Sequence, residues 1–420
     1  MTSQPPSRRA RTALAAIATG SLTGALLLPA GAAHAAAPVQ GNNGSHAPST
    51  SADGRYVAFS SDASNLVVGD TNAASDVFVR DRTTSTTARV SVSSAGQQGN
   101  SGSAKPAVSA DGRYVAFVSL ASNLVPGDTN GVPDVFVRDR STGQTTRVSV
   151  SSAEAQGDDE SNFETPAISA DGRYVAFSSY ASNLVGPGKD YPYSSDVFLR
   201  DRDRGVTTRV SVDATGAPLP DTHQPSISSD GQVVGFVSRH GAPDSPDVTS
   251  AYVRDRAAGR TVLVGDDRAA CGGGTFDPQV SADGRFFLRL LWRNGCTRQV
   301  GLLVRTDWQS VTSVRRVVWH DTSPGNFPIQ ASQSANGSRA VYADGSRPGA
   351  PVVLYDWSSG QSTVLPLGQT DARDLDMSAD GRSVALETDE SLTADDTNAP
   401  VADVYVWTPD QNLVRRVSVG

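Results

Sequence analysis

An all-β fold, a seven-bladed β-propeller of four-stranded antiparallel blades, is predicted by three features of this 420-residue sequence. First, the tetrad Ser-x-(Asp/Asn)-Gly occurs seven times, at spacings of 44 to 60 residues. Second, at least five copies are followed by a segment of alternating apolar residues. Third, seven such units fill residues 41–420 and leave no stretch for another domain. A repeat of about 40 to 50 residues made of short strands is typical of propeller blades. The tetrads begin at Ser51, Ser109, Ser169, Ser228, Ser281, Ser334 and Ser378.

The second repeat shows the four strands of a blade most clearly. Residues 106–109 form a short first strand, and Asp111-Gly112 predicts a two-residue hairpin turn in which both residues have positive φ. Residues 113–118 alternate at period two, as expected of a half-buried second strand. After a long loop, residues 134–139 and 145–150 predict the third and fourth strands. Four such strands make one blade.

The other repeats follow the same order, although the fifth and sixth are degenerate. The predicted third strands are residues 76–80, 196–200, 251–254 and 403–407, and the predicted fourth strands are residues 88–92, 208–212 and 415–419. The arginines of the Arg-Val-Ser segments and those after Asp-Val-Phe-Val are expected on the blade surface, paired with neighbouring acids such as Asp81 and Asp139. The last repeat ends with its own fourth strand. The ring is therefore expected to close by packing of the first blade on the seventh, without an exchanged strand.

The segment Ser51-Ala-Asp-Gly-Arg-Tyr-Val-Ala-Phe59 resembles the signature of TolB-like, or WD40-like (PD40), propeller repeats of exported bacterial proteins. The resemblance covers essentially the whole chain after residue 40, but the Gly-His and Trp-Asp marks of true WD40 repeats are missing. It implies a propeller. It does not imply one function, because the superfamily includes TolB, the gating propellers of prolyl peptidases and some sugar-acid lyases.

Residues 1–35 are predicted to be a cleaved signal peptide, and residues 36–40 a short linker. Arg8, Arg9 and Arg11 form a basic start, an apolar stretch follows, and Ala33-His34-Ala35 is an A-x-A cleavage site. The ordinary secretory route is favoured over a twin-arginine route. We therefore expect a secreted monomer without membrane insertion. Removing the leader changes the net charge from −8 to about −11, which argues against nucleic acid as a partner.

The two cysteines, Cys271 and Cys296, are predicted to form a structural disulfide in the exported protein. They lie at equal distances along the chain from the predicted hairpin turn at Asp283-Gly284, so they would face each other across the fifth blade.

Long loops are expected on one face of the propeller, and the tetrad turns on the other. Binding residues tend to lie on long loops held by a rigid scaffold. We call these the long-loop face and the tetrad face. The residues that begin the innermost strands should ring the channel mouth on the long-loop face, where they either bind a ligand or are simply hydrated. They are His46, Lys105, Glu164, His223, Gln224, Asp277, Gln330 and Asp374.

Three loops between second and third strands share the pattern Asp-Thr-Asn followed by Asp. Their oxygen ligands could surround Ca²⁺, although the loops lack the bidentate Glu of an EF-type site. The alternative is that Asp and Asn bond their own backbone in turns. No cofactor is otherwise required. The candidate ligands are Asp70, Asn72 and Asp76, then Asp128, Asn130 and Asp134, then Asp396, Asn398 and Asp403.

Three functions remain open at this point. The favoured one is a non-catalytic exported propeller that binds a protein, peptide or glycan through the long-loop face and channel mouth. The second is a propeller enzyme, a lyase or hydrolase acting on extracellular polysaccharide. A peptidase would need a Gly-x-Ser-x-Gly elbow, which is missing, and a lyase site could draw on His46 and His223 with Glu164 or Asp277. The third is a calcium-stabilised structural envelope protein.

Overall fold

The computed structural model describes residues 39–161, 164–186, 194–240, 248–266, 273–294, 299–321, 330–343, 349, 351–368 and 370–420. These residues form seven four-stranded antiparallel blades, which confirms the predicted fold. The helices among them include none that is long and apolar enough to cross a membrane. The leader, Cys271 and Cys296 lie outside the described residues, so cleavage and the disulfide stay predictions.

In each blade the strands pair in chain order, and the first strand lies innermost. Blades 1 and 2 contain β1 Ser45–Thr50, β2 Tyr56–Ser61, β3 Asp76–Asp81, β4 Thr86–Arg89, β5 Ser103–Val108, β6 Tyr114–Ser119, β7 Asp134–Asp139 and β8 Gln144–Arg147. Blades 3 and 4 contain β9 Ala167–Ile168, β10 Tyr174–Ser179, β11 Asp196–Asp201, β12 Val206–Arg209, β13 Thr222–Ile227, β14 Val233–His240, β15 Val248–Asp255 and β16 Arg260–Asp266.

Blades 5 to 7 complete the ring. They contain β17 Gly273–Val280, β18 Phe286–Asn294, β19 Gln299–Asp307, β20 Thr312–Asp321, β21 Ala331–Gln333, β22 Arg339–Ala343, β23 Val352–Asp356, β24 Ser362–Val364, β25 Arg373–Met377, β26 Val384–Thr388, β27 Asp403–Thr408 and β28 Leu413–Arg416. A short 3-10 helix, Pro409–Gln411, connects the last two strands. Within the described residues every blade is built from consecutive strands, and no strand is exchanged at the seam between blades 7 and 1.

The hydrophobic core lies between the blades and also joins the first blade to the last. Val57, Phe59 and Phe78 of blade 1 pack with Ala385 and Val404 of blade 7 in one cluster, and all five have no exposed surface. Stacked phenylalanines of the second and third strands, 5.9 Å apart between ring centroids, recur in the first two blades. Apolar packing between blades 1 and 7 therefore joins them across the seam, as expected from the repeat order, and residues 39–41 add backbone hydrogen bonds to residues 418–420.

The tetrad turn differs from the two-residue turn that the sequence predicted. Only the glycine has positive φ, 67° at Gly54, and its amide donates to the Ser51 carbonyl oxygen at 2.9 Å. Asp53 accepts from the Ser51 hydroxyl at 2.7 Å and from the Arg55 amide at 2.9 Å. The turn is therefore a longer one, in which Ser, Asp and Gly each have a separate role.

The fourth strands end earlier than predicted, at Arg89, Arg147, Arg209 and Arg416. In blade 1 the Ser91 hydroxyl donates to Asp76 at 2.6 Å and accepts from the Val77 amide at 3.1 Å. This side chain takes the hydrogen bond that a strand would make, so the Val-Ser-Val segment turns away from the ladder. The arginine before it, Arg89, is buried and contacts Asp76 at 3.0 Å, although the sequence placed it on the blade surface.

The arginines after Asp-Val-Phe-Val were also predicted to lie on the surface and to pair with neighbouring acids such as Asp81 and Asp139. They are instead largely buried at the blade interfaces. Arg138 donates to the Ser93 carbonyl oxygen of the preceding blade at 3.0 Å. The carboxylates pair with the arginine after the tetrad, as in the 2.7 Å contact between Arg113 and Asp139. The prediction was wrong because it did not consider the neighbouring blade.

Candidate functional site

At the tetrad end of the channel, backbone hydrogen bonds connect the tetrads of neighbouring blades into a ring. At five blade boundaries the amide of the second tetrad residue donates to the carbonyl oxygen of the same position in the next blade, as from Ala52 to Ala110 at 2.9 Å. Between blades 5 and 6 the donor is the third tetrad residue, from Asp283 to Ala335 at 3.1 Å. The seam is closed by the Asp380 amide, which donates to Ala52 at 3.1 Å. Small residues occupy this position in all seven blades, namely Ala52, Ala110, Ala170, Ser229, Ala282, Ala335 and Ala379.

At the opposite end, the innermost strands carry a β-bulge at the channel mouth. The register between first and second strands shifts at the same place in blades 1, 2, 4, 5 and 7. In each bulge one non-glycine residue has positive φ, between 47° and 55°, and lies four positions before the tetrad serine. These residues are Ala47, Lys105, Gln224, Asp277 and Asp374. Left-handed backbone costs a non-glycine residue about 1–2 kcal/mol, so each of these five bulges carries backbone strain at the mouth.

Four predicted residues of the mouth form a connected arc across blades 4 to 7. The Asp277 amide donates to Gln224 Oε1 at 3.2 Å, and Asp277 Oδ2 accepts from the Ala331 amide at 2.7 Å. Gln330 Nε2 donates to Asp374 Oδ1 at 2.5 Å. Burial raises the pKa of Asp277 to about 6. Burial and the charge of Glu387 raise the pKa of Asp374 to about 6. The arc thus holds two half-buried carboxyl groups with high proton affinity.

At the seam His46 contacts Glu387, a residue that was not among the predicted mouth residues. Its Nδ1 lies 3.0 Å from Glu387 Oε1, while the Ala47 amide donates to Glu387 Oε2 at 3.3 Å. This hydrogen bond raises the pKa of His46 against the effect of burial. Glu387 lies in the second strand of blade 7, where the repeat pattern places an ordinary core residue. A charged residue in that apolar strand was the available signal.

His223 lies in blade 4 and has different partners. Its Nδ1 is 3.0 Å from Ser195 Oγ, and its Nε2 is 3.0 Å from Asp221 Oδ1, within ion-pair distance but without hydrogen-bond geometry. The series of contacts from Ser195 to His223 to Asp221 resembles a Ser-His-Asp catalytic triad. However, Ser195 has no exposed surface and donates to the Thr222 carbonyl oxygen at 2.5 Å, so it cannot meet a substrate.

Glu164 and Lys105 complete the predicted set and interact with each other electrostatically. Burial raises the pKa of Glu164, against the opposing charges of His223 and Lys105. Burial lowers the pKa of Lys105, against the charges of Glu164 and Asp374. The structure thus associates Glu164 with His223 and Lys105, while His46 belongs to a separate group with Glu387.

The Asp-Thr-Asn loops bring their predicted oxygen ligands together around side chains from elsewhere. In blade 1, Gln98 Nε2 donates to Asp70 at 2.8 Å and to Asp76 at 2.9 Å, and Arg89 also contacts Asp76. Gln156 and Arg147 take these roles in blade 2, and Gln40 and Arg416 in blade 7. The predicted ligands of the blade 2 loop are Asp128, Asn130 and Asp134, and those of the blade 7 loop, at the seam, are Asp396, Asn398 and Asp403.

These contacts place an arginine and an amide where the sequence suggested a cation. The described residues contain no group of three or more His, Cys, Asp or Glu side chains arranged to hold a metal ion. Calcium binding stays a prediction. The glutamines had a signal in the sequence, since Gln40-Gly41, Gln98-Gly99 and Gln156-Gly157 recur at 58-residue intervals.

The chain is similar in fold to solved propellers, whereas no family model and no curated protein matches its sequence. The β-propeller domain of the Trilobed protease from Pyrococcus furiosus superposes with a TM-score of 0.56 at 11% identity, covering 89% of this chain and 97% of that one. Oligogalacturonate lyase from Vibrio parahaemolyticus gives a TM-score of 0.53 at 12% identity, covering 88% and 90%. TolB from Acinetobacter baumannii gives 0.41 at 18% identity, covering 71% and 61%. The similarity to the Trilobed protease propeller and to oligogalacturonate lyase shows the fold alone.

Proposed function

We propose that this chain is an exported, non-catalytic propeller that binds a protein, peptide or glycan partner through its long-loop face and channel mouth. The observation that carries the proposal is the ring of half-buried polar side chains at the mouth, set by five strained bulges. Strained backbone clusters at functional positions. Groups already held in place lose little conformational freedom when they bind a partner.

The chemistry of the mouth indicates what such a partner presents. Glu164, Asp277 and Asp374 contribute carboxyl groups, and Gln224 and Gln330 contribute amides, against the one ammonium group of Lys105. Acceptors therefore outnumber cationic donors. A segment rich in donors, such as peptide amides, amines or sugar hydroxyls, is complementary to this set.

The different partners of His46 and His223 support binding over catalysis by a histidine-based lyase. His46 is committed to Glu387 at the seam, and His223 contacts Asp221 and the buried Ser195. A lyase is among the proteins of similar fold, but its activity does not transfer at 12% identity. Secretion is proposed from the leader pattern of residues 1–35 alone.

The proposal is tested by screening the mature protein against a displayed random-peptide library and a glycan array. The test variant combines Lys105→Ala, Asp277→Asn and Asp374→Asn. The control, Asp410→Asn, removes an exposed carboxylate on the tetrad face. We expect ligands that bind wild type and the control but not the triple variant. Ligands retained by the triple variant would contradict the proposal. So would polysaccharide cleavage that disappears in His223→Ala.

A further inference from the structure

The channel contains a cavity of about 240 Å³ at its tetrad end, away from the channel mouth. Its wall includes the residue before each tetrad serine. This residue is apolar in five blades, at Val108, Ile168, Ile227, Val280 and Met377. It is polar in the other two, at Thr50 and Gln333. Asp376 of blade 7 lies between these two polar positions around the ring. Val108, Ile168, Ile227 and Val280 of blades 2 to 5 thus form a long apolar arc. Gln333, Asp376 and Thr50 form a shorter polar arc, which is interrupted by Met377 of blade 7.

Asp376 occupies a position that is serine in blades 1, 4 and 6. In blade 1 the Ser49 hydroxyl accepts from the Val108 amide of the next blade at 3.1 Å. Ser226 and Ser332 make the same link to the amides of Val280 and Met377, at 3.2 Å and 2.9 Å. In blade 7, Asp376 Oδ2 accepts from the Thr50 amide at 2.6 Å. A hydroxyl therefore suffices for this link, and the negative charge of Asp376 is not needed for it.

Among the described residues, the second carboxylate oxygen of Asp376 has only weak hydrogen-bond partners, the Ser332 hydroxyl and the Met377 amide. Oδ2 also accepts from the Thr50 hydroxyl at 2.7 Å, so both strong bonds go to one oxygen. The contact between Oδ1 and the Ser332 hydroxyl is 3.4 Å, beyond the 2.5–3.0 Å range of a good O–H···O bond. Gln333, in the same polar arc, has an Oε1 atom without a hydrogen-bond partner. A buried carboxylate carries a desolvation cost that a cation nearby would offset.

We propose that this cavity binds a small organic cation, a primary ammonium with a short apolar body. The ammonium group donates to Asp376 Oδ1, and the body lies against the apolar arc. A bare inorganic ion would leave that arc in contact with water, which favours the organic cation. The cavity is large enough for a small organic cation, because its 240 Å³ corresponds to roughly eight water molecules at about 30 Å³ each. None of the residues that line this cavity belongs to the channel-mouth set, and the proposal does not depend on the partner proposed there.

The probe for the test is n-butylammonium chloride, titrated into the mature protein by calorimetry at constant ionic strength. n-Butanol is the neutral comparison of similar shape. Asp376→Ser is the matched variant, because it restores the group that three other blades use for the same link. Asp376→Asn is a second variant, which keeps the shape of the side chain without its charge. Thermal melts without ligand show whether each variant is folded.

We expect saturable binding of butylammonium to wild type, and binding at least about tenfold weaker for butanol. That ratio is the effect of one charge-assisted hydrogen bond. Both variants should lose at least about tenfold in affinity for butylammonium while their melting temperatures stay the same or rise. Equal affinity in wild type and the variants would overturn the proposal, as would the absence of binding to wild type. If Asp376→Ser does not fold, the butanol comparison and Asp376→Asn decide the question.

Discussion

Gly112 shows why the tetrad ends in glycine, at the scale of a single residue. It has a φ of 74°, and a Cβ placed on it would lie 2.1 Å from the Tyr56 ring of the preceding blade. The Arg140 guanidinium covers the same ring, with its Cζ atom 4.7 Å from the ring centroid, and donates to the Gly112 carbonyl oxygen at 2.5 Å. Gly172 and Gly231 meet the equivalent tyrosines in the same way. The glycine therefore serves both the turn and the blade interface.

We expect Gly112→Ala to destabilise the protein by more than its backbone strain alone. Gly127 is the matched control, because it also has a φ of 74° but a Cβ there would meet nothing within 4 Å. Gly127→Ala should cost about 1–2 kcal/mol from left-handed backbone. Gly112→Ala should cost about 1–3 kcal/mol more, from overpacking against Tyr56. Urea unfolding measures both, and equal losses would contradict the interface role.

The carboxyl groups at the channel mouth make stability depend on pH. The pKa values of Asp277 and Asp374 are raised to about 6, above the value of about 3.9 in an unfolded chain. Protonation therefore favours the folded state as pH falls through about 6. The raised pKa of His46 acts in the same direction, because its stabilisation is present below about 6.5 and is lost as pH rises through the folded value.

We expect the free energy of unfolding to increase between pH 8 and pH 5. Asp277→Asn should flatten this increase, because it removes one of the carboxyl groups with a raised pKa. Urea melts of both proteins at four pH values measure the effect. The same pH profile for both proteins would show that Asp277 does not contribute. A free energy of unfolding that decreases toward pH 5 in the wild type would contradict the proposed effect of the raised pKa values.

At the scale of elements, a glutamine from the loop entering one blade joins the Asp-Thr-Asn loop of the blade before it. Gln98 donates to Asp70 and Asp76 and accepts from the Thr71 amide at 3.2 Å. A single amide thus satisfies the acceptors and the donor of the loop together. The same contacts at Gln156 and Gln40 indicate one connection between blades that is used three times.

Gln98→Ala should lower the free energy of unfolding by about 1–3 kcal/mol, because it removes the hydrogen bond to the buried carboxylate of Asp70. Gln97→Ala is the control, because Gln97 is the exposed neighbour in the same loop. Equal effects of the two changes would argue against the connection. Melts with millimolar Ca²⁺ and with chelator test the calcium prediction. A rise in melting temperature that vanishes in Asp128→Ala would place metal at these loops, and the absence of a shift would leave them as turns held by glutamine and arginine.

At the scale of the whole molecule, the sequence predicts the strands and turns that recur in each blade, but it does not predict the side-chain contacts between neighbouring blades. The tetrad and the Asp-Val-Phe-Val strands predict the fold, because their periodicity reflects burial in each copy. The same pattern cannot show that Arg138 reaches Ser93, or that Glu387 reaches His46, because these pairs lie far apart in sequence. The mouth residues could be placed by counting along the innermost strands. Their bulges and raised pKa values depend on the neighbouring blades.

The seam between blades 7 and 1 is expected to depend on residues 39–41. The Gly420 amide donates to the Val39 carbonyl oxygen at 2.8 Å, and the Gly41 amide donates to Ser418 at 3.2 Å. Gln40 donates to Asp396 at 2.7 Å and to Asp403 at 3.1 Å. Every other pair of neighbouring blades has, besides such contacts, a covalent connection through the polypeptide chain. The seam relies on noncovalent contacts.

Deleting residues 39–41 should therefore raise amide hydrogen exchange mainly in blades 1 and 7, and Gln40→Ala should do so to a smaller extent. Protection in blades 2 and 3 should change little, because their contacts remain. Gln98→Ala is the matched comparison, since it breaks the same side-chain contacts at a boundary that the chain also spans. It should leave the seam amides protected, because a local opening exposes only the amides near it. A uniform loss of protection after the deletion would show that the ring unfolds as one unit. No change at Ser418 and Gly420 would show that apolar packing alone holds the seam.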